Sequence, residues 1–75
     1  MTILEKHAVV AMMKKYGGSF VKTLADLILV ADESNIRRIE SAWPEYIAQY
    51  KRMAYEEVER LGLSSLHDIV PNLHL

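Results

Sequence analysis

The chain has 75 residues, of which 51% are hydrophobic and 25% charged, and its formal net charge is −1 at pH 7. This length predicts one small domain spanning residues 1–75, and the near-zero charge argues against bulk electrostatic attraction to nucleic acid or anionic lipid. Because the chain contains no cysteine, disulfides and thiolate metal sites are excluded. Burial against a second chain remains as an additional source of stability.

The first predicted helix covers residues 3–16. Thr2 and Glu5 have capping-box spacing, in which the hydroxyl oxygen accepts from an amide of the first turn and the carboxylate accepts from the N-cap amide. Apolar side chains recur at three- and four-residue spacing and give this helix one apolar face. Gly17 follows, and we expect it to end the helix in the left-handed conformation.

The second predicted helix covers residues 20–31, with Ser19 as its N-cap. Its predicted inward stripe consists of Phe20, Leu24, Leu27, Ile28 and Ala31. Apolar residues also fill most of the remaining circumference, a pattern typical of a central helix that is covered from several sides. A chain this short has little material for that cover, so we expect a homodimer or a protein partner to supply the rest.

The third predicted helix is short and covers residues 33–42. Asp32 is its predicted N-cap, because an aspartate side chain accepts well from the amides of the first turn. Glu33 and Arg37 are four residues apart and are predicted to form an ion pair along the helix surface.

The fourth predicted helix covers residues 44–61 and begins at Pro44, which suits the first helical position. Gly62 is expected to end it, and Ser64 or Ser65 to cap a last short turn. No segment alternates apolar and polar residues with β-branched enrichment. The predicted fold is therefore an all-α bundle of four main helices with a short C-terminal helical turn.

The segment "YGGSF", residues 16–20, and the histidines are the first candidates for a ligand site. A phosphate-binding loop normally follows a strand and ends in Gly-Lys-Ser or Gly-Lys-Thr. This segment follows a predicted helix and lacks that ending, so we interpret it as a turn. His7, His67 and His74 lack the local spacing of zinc ligands. No metal and no cofactor are predicted.

Glu56, Glu57 and Glu59 on the fourth helix are the candidates for acid–base chemistry. Glycosidase carboxylates face each other across a cleft at a defined separation, and a small helical domain rarely forms such a cleft. The serines lack a nucleophile elbow and a matching base. We therefore interpret the glutamates as a solvated charged face and predict no enzyme.

Two short helices in succession also suggest a helix-turn-helix. Asn35, Arg37 and Arg38 lie near the start of the third helix, where a recognition helix reads base edges. Glu33 and Glu40 flank these arginines, and the chain has no net positive charge. A small dimeric helical DNA-binding regulator is therefore the alternative function rather than the favoured one.

Protein binding is favoured by the aromatic residues around the start of the fourth helix, at positions 43, 46, 50 and 55. Tryptophan, tyrosine and arginine are enriched at the residues that dominate binding energy in protein interfaces. Tyr50 shares the predicted inward stripe, whereas Tyr46 and Tyr55 are less clearly inside. The alternative is that Trp43, Tyr46 and Tyr50 all belong to the core. The predicted partner contacts are Arg37, Arg38, Trp43, Tyr46 and Tyr55.

The segments "KYGGSF", "LA", "AD" with a following "N", and "WPEY" with a following "Y" resemble a group of small, largely uncharacterised proteins of bacteriophages and other bacterial mobile elements. The resemblance covers residues 14–50 and includes no catalytic signature. It implies an accessory protein, and such proteins often act as stoichiometric inhibitors of host defence complexes, as anti-CRISPR proteins do. The implied partner is a host or phage protein complex.

The expected location is the cytoplasm of a bacterial host cell. Glu5 and Lys6 interrupt the apolar start, which therefore does not resemble a signal peptide. The longest mainly apolar run, residues 24–31, is too short to span a bilayer and contains Asp26. No membrane association is predicted.

Overall fold

The computed structural model describes residues 1–70. Within this range the elements are α1 (Ile3–Tyr16), α2 (Ser19–Val30), α3 (Glu33–Ala42), α4 (Pro44–Arg60) and a C-terminal 3₁₀ turn (Leu66–Asp68). No β-strand occurs in these residues, so the predicted all-α bundle is confirmed, and the predicted helix bounds agree to within one residue. His74 lies outside the described residues.

The central helix is α1, and the prediction that the second helix is central is wrong. α1 packs against α2, α4 and the 3₁₀ turn, while α3 packs on α4. Five buried side chains of α1 form much of the core: Ala8, Val9, Val10, Met12 and Met13. The Cα atoms extend only 17 Å in the thinnest direction. That thickness accommodates about two helix layers at a spacing of 8–10 Å, so α2 is covered on one side only.

The buried face of α2 is rotated from the predicted stripe. Its buried residues are Val21, Leu24, Ala25 and Ile28. Two members of the predicted stripe, Phe20 and Leu27, are 55% and 47% exposed. Since this helix is apolar over most of its circumference, the position of α1 rather than the periodicity of α2 determines which face is buried.

Local sequence signals at the starts of α1, α3 and α4 act as predicted. The Thr2 amide donates to Glu5 Oε1 at 3.0 Å, and the Glu5 amide donates to Thr2 Oγ1 at 3.0 Å, which confirms the capping box. The Asp32 carboxylate accepts from the Asn35 amide at 2.9 Å and caps α3. Pro44 lies at the first position of α4. These caps satisfy amides that have no partner within their own helix.

The α1–α2 turn differs from the prediction in two respects. Gly17 has φ −82° and ψ 158°, an extended rather than left-handed conformation, and Ser19 is the first residue of α2, with Gly18 at the N-cap position. A glycine is needed at position 17 because there is no room for a side chain. A Cβ at this position would lie 2.4 Å from Val21 Cγ1 and 2.6 Å from the Met13 carbonyl oxygen.

The segment after α4 returns to the core. Gly62 follows the end of α4 as predicted, and with φ +67° it has the left-handed conformation common after helix ends. The Ser65 hydroxyl accepts from the His67 amide at 3.2 Å, and the Asp68 carboxylate accepts from the Ser65 amide at 3.2 Å. This cap turns Leu66 inward, where it is buried in the core.

Candidate functional site

Three aromatic side chains meet where α2 and α4 begin. The Phe20 ring lies 6.0 Å from the Trp43 ring in an edge-on arrangement and 5.6 Å from the Tyr46 ring, measured between centroids. These distances are in the range in which aromatic pairs attract beyond simple burial. Phe20 nevertheless remains 55% exposed. Trp43 and Tyr46 are half-buried and pack against the core, so the aromatic cluster extends from the core to the molecular surface, where Phe20 lies.

An apolar groove lies beside this aromatic cluster, between the C-terminal half of α2 and α3. Its volume is about 320 Å³. The residues that line it are Leu27, Val30, Ala31, Asn35, Arg38, Ile39, Ala42 and Trp43. Because Trp43 belongs to both features, the aromatic cluster and the groove form one continuous surface, which we call the α2–α3 groove.

The exposed side of α2 explains why the groove is open and apolar. Leu27 and Val30 are three residues apart and so share a face, and Val30 is 81% exposed. The next helix begins after only two residues, Ala31 and Asp32, so α3 borders this face instead of covering it. Single exposed apolar residues are common, whereas a contiguous apolar patch is a candidate interaction site.

Arg38 is the charged residue of the groove, and no carboxylate is among its lining residues. Arg38 forms no ion pair with any residue in the described range 1–70. The other arginines each contact a carboxylate, in the pairs Arg37–Glu33, Arg52–Glu56 and Arg60–Glu57. The Arg37–Glu33 pair, at 3.6 Å, confirms the predicted i,i+4 contact. The groove therefore combines apolar walls with one guanidinium that the described chain does not neutralise.

A second depression, of about 420 Å³, lies near the ends of α1 and α4 and is strongly charged. Its lining residues are Tyr16, Met53, Glu56, Glu57, Glu59 and Arg60. Glu57 is buried there, so its predicted place on the solvent face is wrong. Its carboxylate accepts from Lys15 Nζ at 3.1 Å, from the Tyr16 hydroxyl at 3.0 Å and from the Arg60 guanidinium.

These contacts determine the protonation of Glu57. The hydrogen bonds from Arg60 and then Lys15 lower the pKa of the Glu57 carboxyl to about 2. The same contacts raise the pKa of Lys15 and of Arg60. A carboxylate with this pKa carries no proton near neutral pH and has strong donors on both oxygens. The arrangement is that of an ion-pair network that joins α1 to α4.

The five predicted contact residues do not form one surface. Trp43 and Tyr46 belong to the aromatic cluster and Arg38 lies in the groove. Arg37 does not line the groove and faces Glu33 instead. Tyr55 is exposed elsewhere.

The Tyr55 hydroxyl donates to Glu5 Oε2 at 3.0 Å, near the start of α1. This hydrogen bond raises the pKa of Tyr55. The phenol is therefore engaged in holding α4 to the first turn of α1.

Sequence reasoning missed Phe20, Leu27 and Val30 as surface residues. Phe20 and Leu27 were assigned to the predicted buried stripe, and Val30 to the remainder of an all-apolar helix. The signal that could have found them is the width of the apolar arc of α2, which exceeds what one neighbouring helix can cover.

No cluster of potential metal ligands is found among the residues that the structure describes. Within residues 1–70 no three histidine, cysteine, aspartate or glutamate side chains converge as metal ligands would. In the same range, none of the helices combines the length and the apolar character that crossing a bilayer requires.

Comparisons with known proteins return no match: no family model, no curated protein and no solved structure is similar to this chain.

Proposed function

We propose that this protein acts by binding another protein through the α2–α3 groove. The observation that carries the proposal is the exposure of Phe20, Leu27 and Val30 on one side of α2, next to Trp43. The bundle has its own buried core without these residues. No other part of the described fold covers these three side chains. A partner that covered them would remove apolar surface from water, which is favourable.

The shape and composition of the groove support binding of a folded protein segment, such as a helix. Its volume of about 320 Å³ is comparable to that of small binding sites. Trp43, Tyr46 and Arg38 are of the residue types that dominate binding energy in interfaces. The walls are two helices separated by two residues, which favours a preformed site and a low entropic cost of ordering on binding.

The resemblance to bacteriophage and mobile-element proteins supports a finer proposal. In it the partner is a host or phage protein complex in the bacterial cytoplasm, and binding inhibits a host defence complex in a stoichiometric manner, as anti-CRISPR proteins do. The net charge of −1 argues against mimicry of DNA. Recognition in this proposal depends on shape and aromatic contacts.

The test is affinity capture with matched variants. Tagged wild-type protein is compared with Val30→Glu, which places a charge in the groove, and with Leu29→Glu. Leu29 is exposed on the same helix but does not line the groove. We expect the wild type and Leu29→Glu to recover the same complex from bacterial lysate at equal stoichiometry, and Val30→Glu to lose it.

Two results would contradict the proposal. One is equal recovery by all three proteins. The other is steeply salt-dependent binding to duplex DNA that is lost in an Arg37→Ala and Arg38→Ala double variant, because that behaviour belongs to a DNA-binding regulator.

A further inference from the structure

We propose, building on the function proposed above, that the ligand of the α2–α3 groove is an amphipathic helix of a partner protein that carries a carboxylate beside its apolar anchors. Arg38 and Asn35, on the α3 wall, would bind this carboxylate while Leu27 and Val30, on the α2 wall, receive the anchors.

The α3 wall presents unpartnered donors. Arg38 forms no ion pair within residues 1–70, and the Asn35 carboxamide makes no hydrogen bond in that range; only the Asn35 backbone amide is used, by the Asp32 cap. The two residues are three apart on one helix, so their side chains are neighbours. A guanidinium binds a carboxylate with two parallel hydrogen bonds, and such charge-assisted bonds are among the strongest in proteins.

The walls also favour a helix over an extended segment. Both walls are α-helices, whose internal backbone groups already bond within each helix, so they offer no free edge to which a strand could add. A segment that enters an apolar groove must satisfy its own backbone groups. A helix does so, and it presents apolar residues at three- and four-residue spacing to Leu27 and Val30.

Charge argues against a second copy of this chain as the occupant. If the groove paired with that of a second copy, the groove residues of that copy would offer Arg38 no carboxylate, because none lines the groove. The carboxylates that flank the exposed side of α2 are already engaged, since Asp26 pairs with Lys14 and Asp32 caps α3. A different protein with a free carboxylate fits better.

The experiment uses a random peptide display library selected on the full-length protein and counter-selected on Val30→Glu. We expect the enriched peptides to combine apolar residues at helical spacing with an aspartate or glutamate. The binding of one synthetic peptide is then measured by fluorescence anisotropy. We expect Arg38→Ala to weaken it by about 10- to 100-fold, the range for hydrogen bonds to a charged group, and the matched control Arg37→Ala to leave it unchanged.

A double-mutant cycle identifies the pair directly. Replacing the acidic residue of the peptide by its amide should cost the same factor with wild-type protein and almost nothing with Arg38→Ala. If Val30→Glu abolishes binding while Arg38→Ala does not change it, the carboxylate inference is wrong and groove binding stands. If no peptide distinguishes the wild type from Val30→Glu, the groove proposal fails as well.

Self-association is a separate outcome. A concentration-dependent dimer in light scattering, dissociated by Val30→Glu but not by Leu29→Glu, would make a second copy the occupant and overturn the inference.

Discussion

Two depressions of this small bundle, the charged one at the ends of α1 and α4 and the α2–α3 groove, differ in how many of their lining side chains have partners within the described residues. At the ends of α1 and α4, the buried Glu57 carboxylate has partners from three side chains. At the α2–α3 groove, Val30 is 81% exposed and Arg38 has no ion-pair partner in the described range. The difference indicates that the charged depression serves the fold, and it is consistent with the proposal that the groove binds another molecule.

The largest expected effect tests whether the groove wall is needed for folding. Ile28 is fully buried and the preceding Leu27 is 47% exposed in the groove. Ile28→Ala should destabilise the protein by about 2–5 kcal/mol, because it removes buried methyl groups and leaves a cavity. Leu27→Ala should cost less than about 1 kcal/mol. Urea denaturation of both variants measures the difference, and equal losses would show that the groove wall is part of the folding core.

The second effect concerns the charged depression. Glu57→Gln should lower Tm clearly, because it leaves the Lys15 and Arg60 cations without their buried anion. Glu56→Gln is the matched control, since Glu56 is exposed and forms only a surface pair with Arg52. Thermal unfolding by circular dichroism measures both. Peptide binding at the groove should not change in either variant, and a loss of binding in Glu57→Gln at a temperature where it is folded would couple the two depressions.

The pH dependence of stability follows from the same carboxylate. The pKa of Glu57 is lowered from 4.5 to about 2 in the folded protein. A lowered pKa stabilises the fold fully above about pH 4.5, and this contribution is lost as the pH falls toward about 2. Unfolding curves from pH 6 to pH 2 should therefore decline more steeply for the wild type than for Glu57→Gln. Parallel declines would mean that Glu57 is not the responsible group.

The smallest expected effect separates the two neighbouring arginines of α3. Arg37→Ala removes an exposed pair with Glu33 and should cost about 0.2–0.5 kcal/mol. Arg38→Ala removes no ion pair of the described fold and should leave stability unchanged within about 0.5 kcal/mol. Parallel urea titrations measure both. A larger loss of unfolding free energy in Arg38→Ala would show that Arg38 stabilises the fold. The groove would then resemble the charged depression in this respect.

Local chemistry made much of the fold predictable. The capping box at Thr2 and Glu5, the Asp32 cap, Pro44 at the start of α4 and Gly62 after its end each depend on residues within a few positions of one another. Such signals can be read directly from the sequence, because backbone geometry and side-chain reach determine them.

Features that depend on distant residues were not predictable. Glu57 has exposed glutamates on either side in the sequence, whereas its partner Lys15 lies 42 positions earlier. The buried face of α2 could not be assigned either. When apolar residues surround most of a helix, the pattern does not show which face packs against a neighbouring helix. The prediction of Trp43 and Tyr46 as surface contacts remains a prediction about binding, although the structure does bring both to Phe20.

Trp43 is the single residue between α3 and α4, it lines the groove, and the chain contains no other tryptophan. The intrinsic tryptophan fluorescence of the protein therefore comes from one position, between α3 and α4. A ligand bound in the groove as proposed would change the solvent around this ring, and we expect the emission maximum to shift. Titrations of unmodified protein with unlabelled ligands can accordingly be followed by fluorescence, without a dye attached to so small a surface.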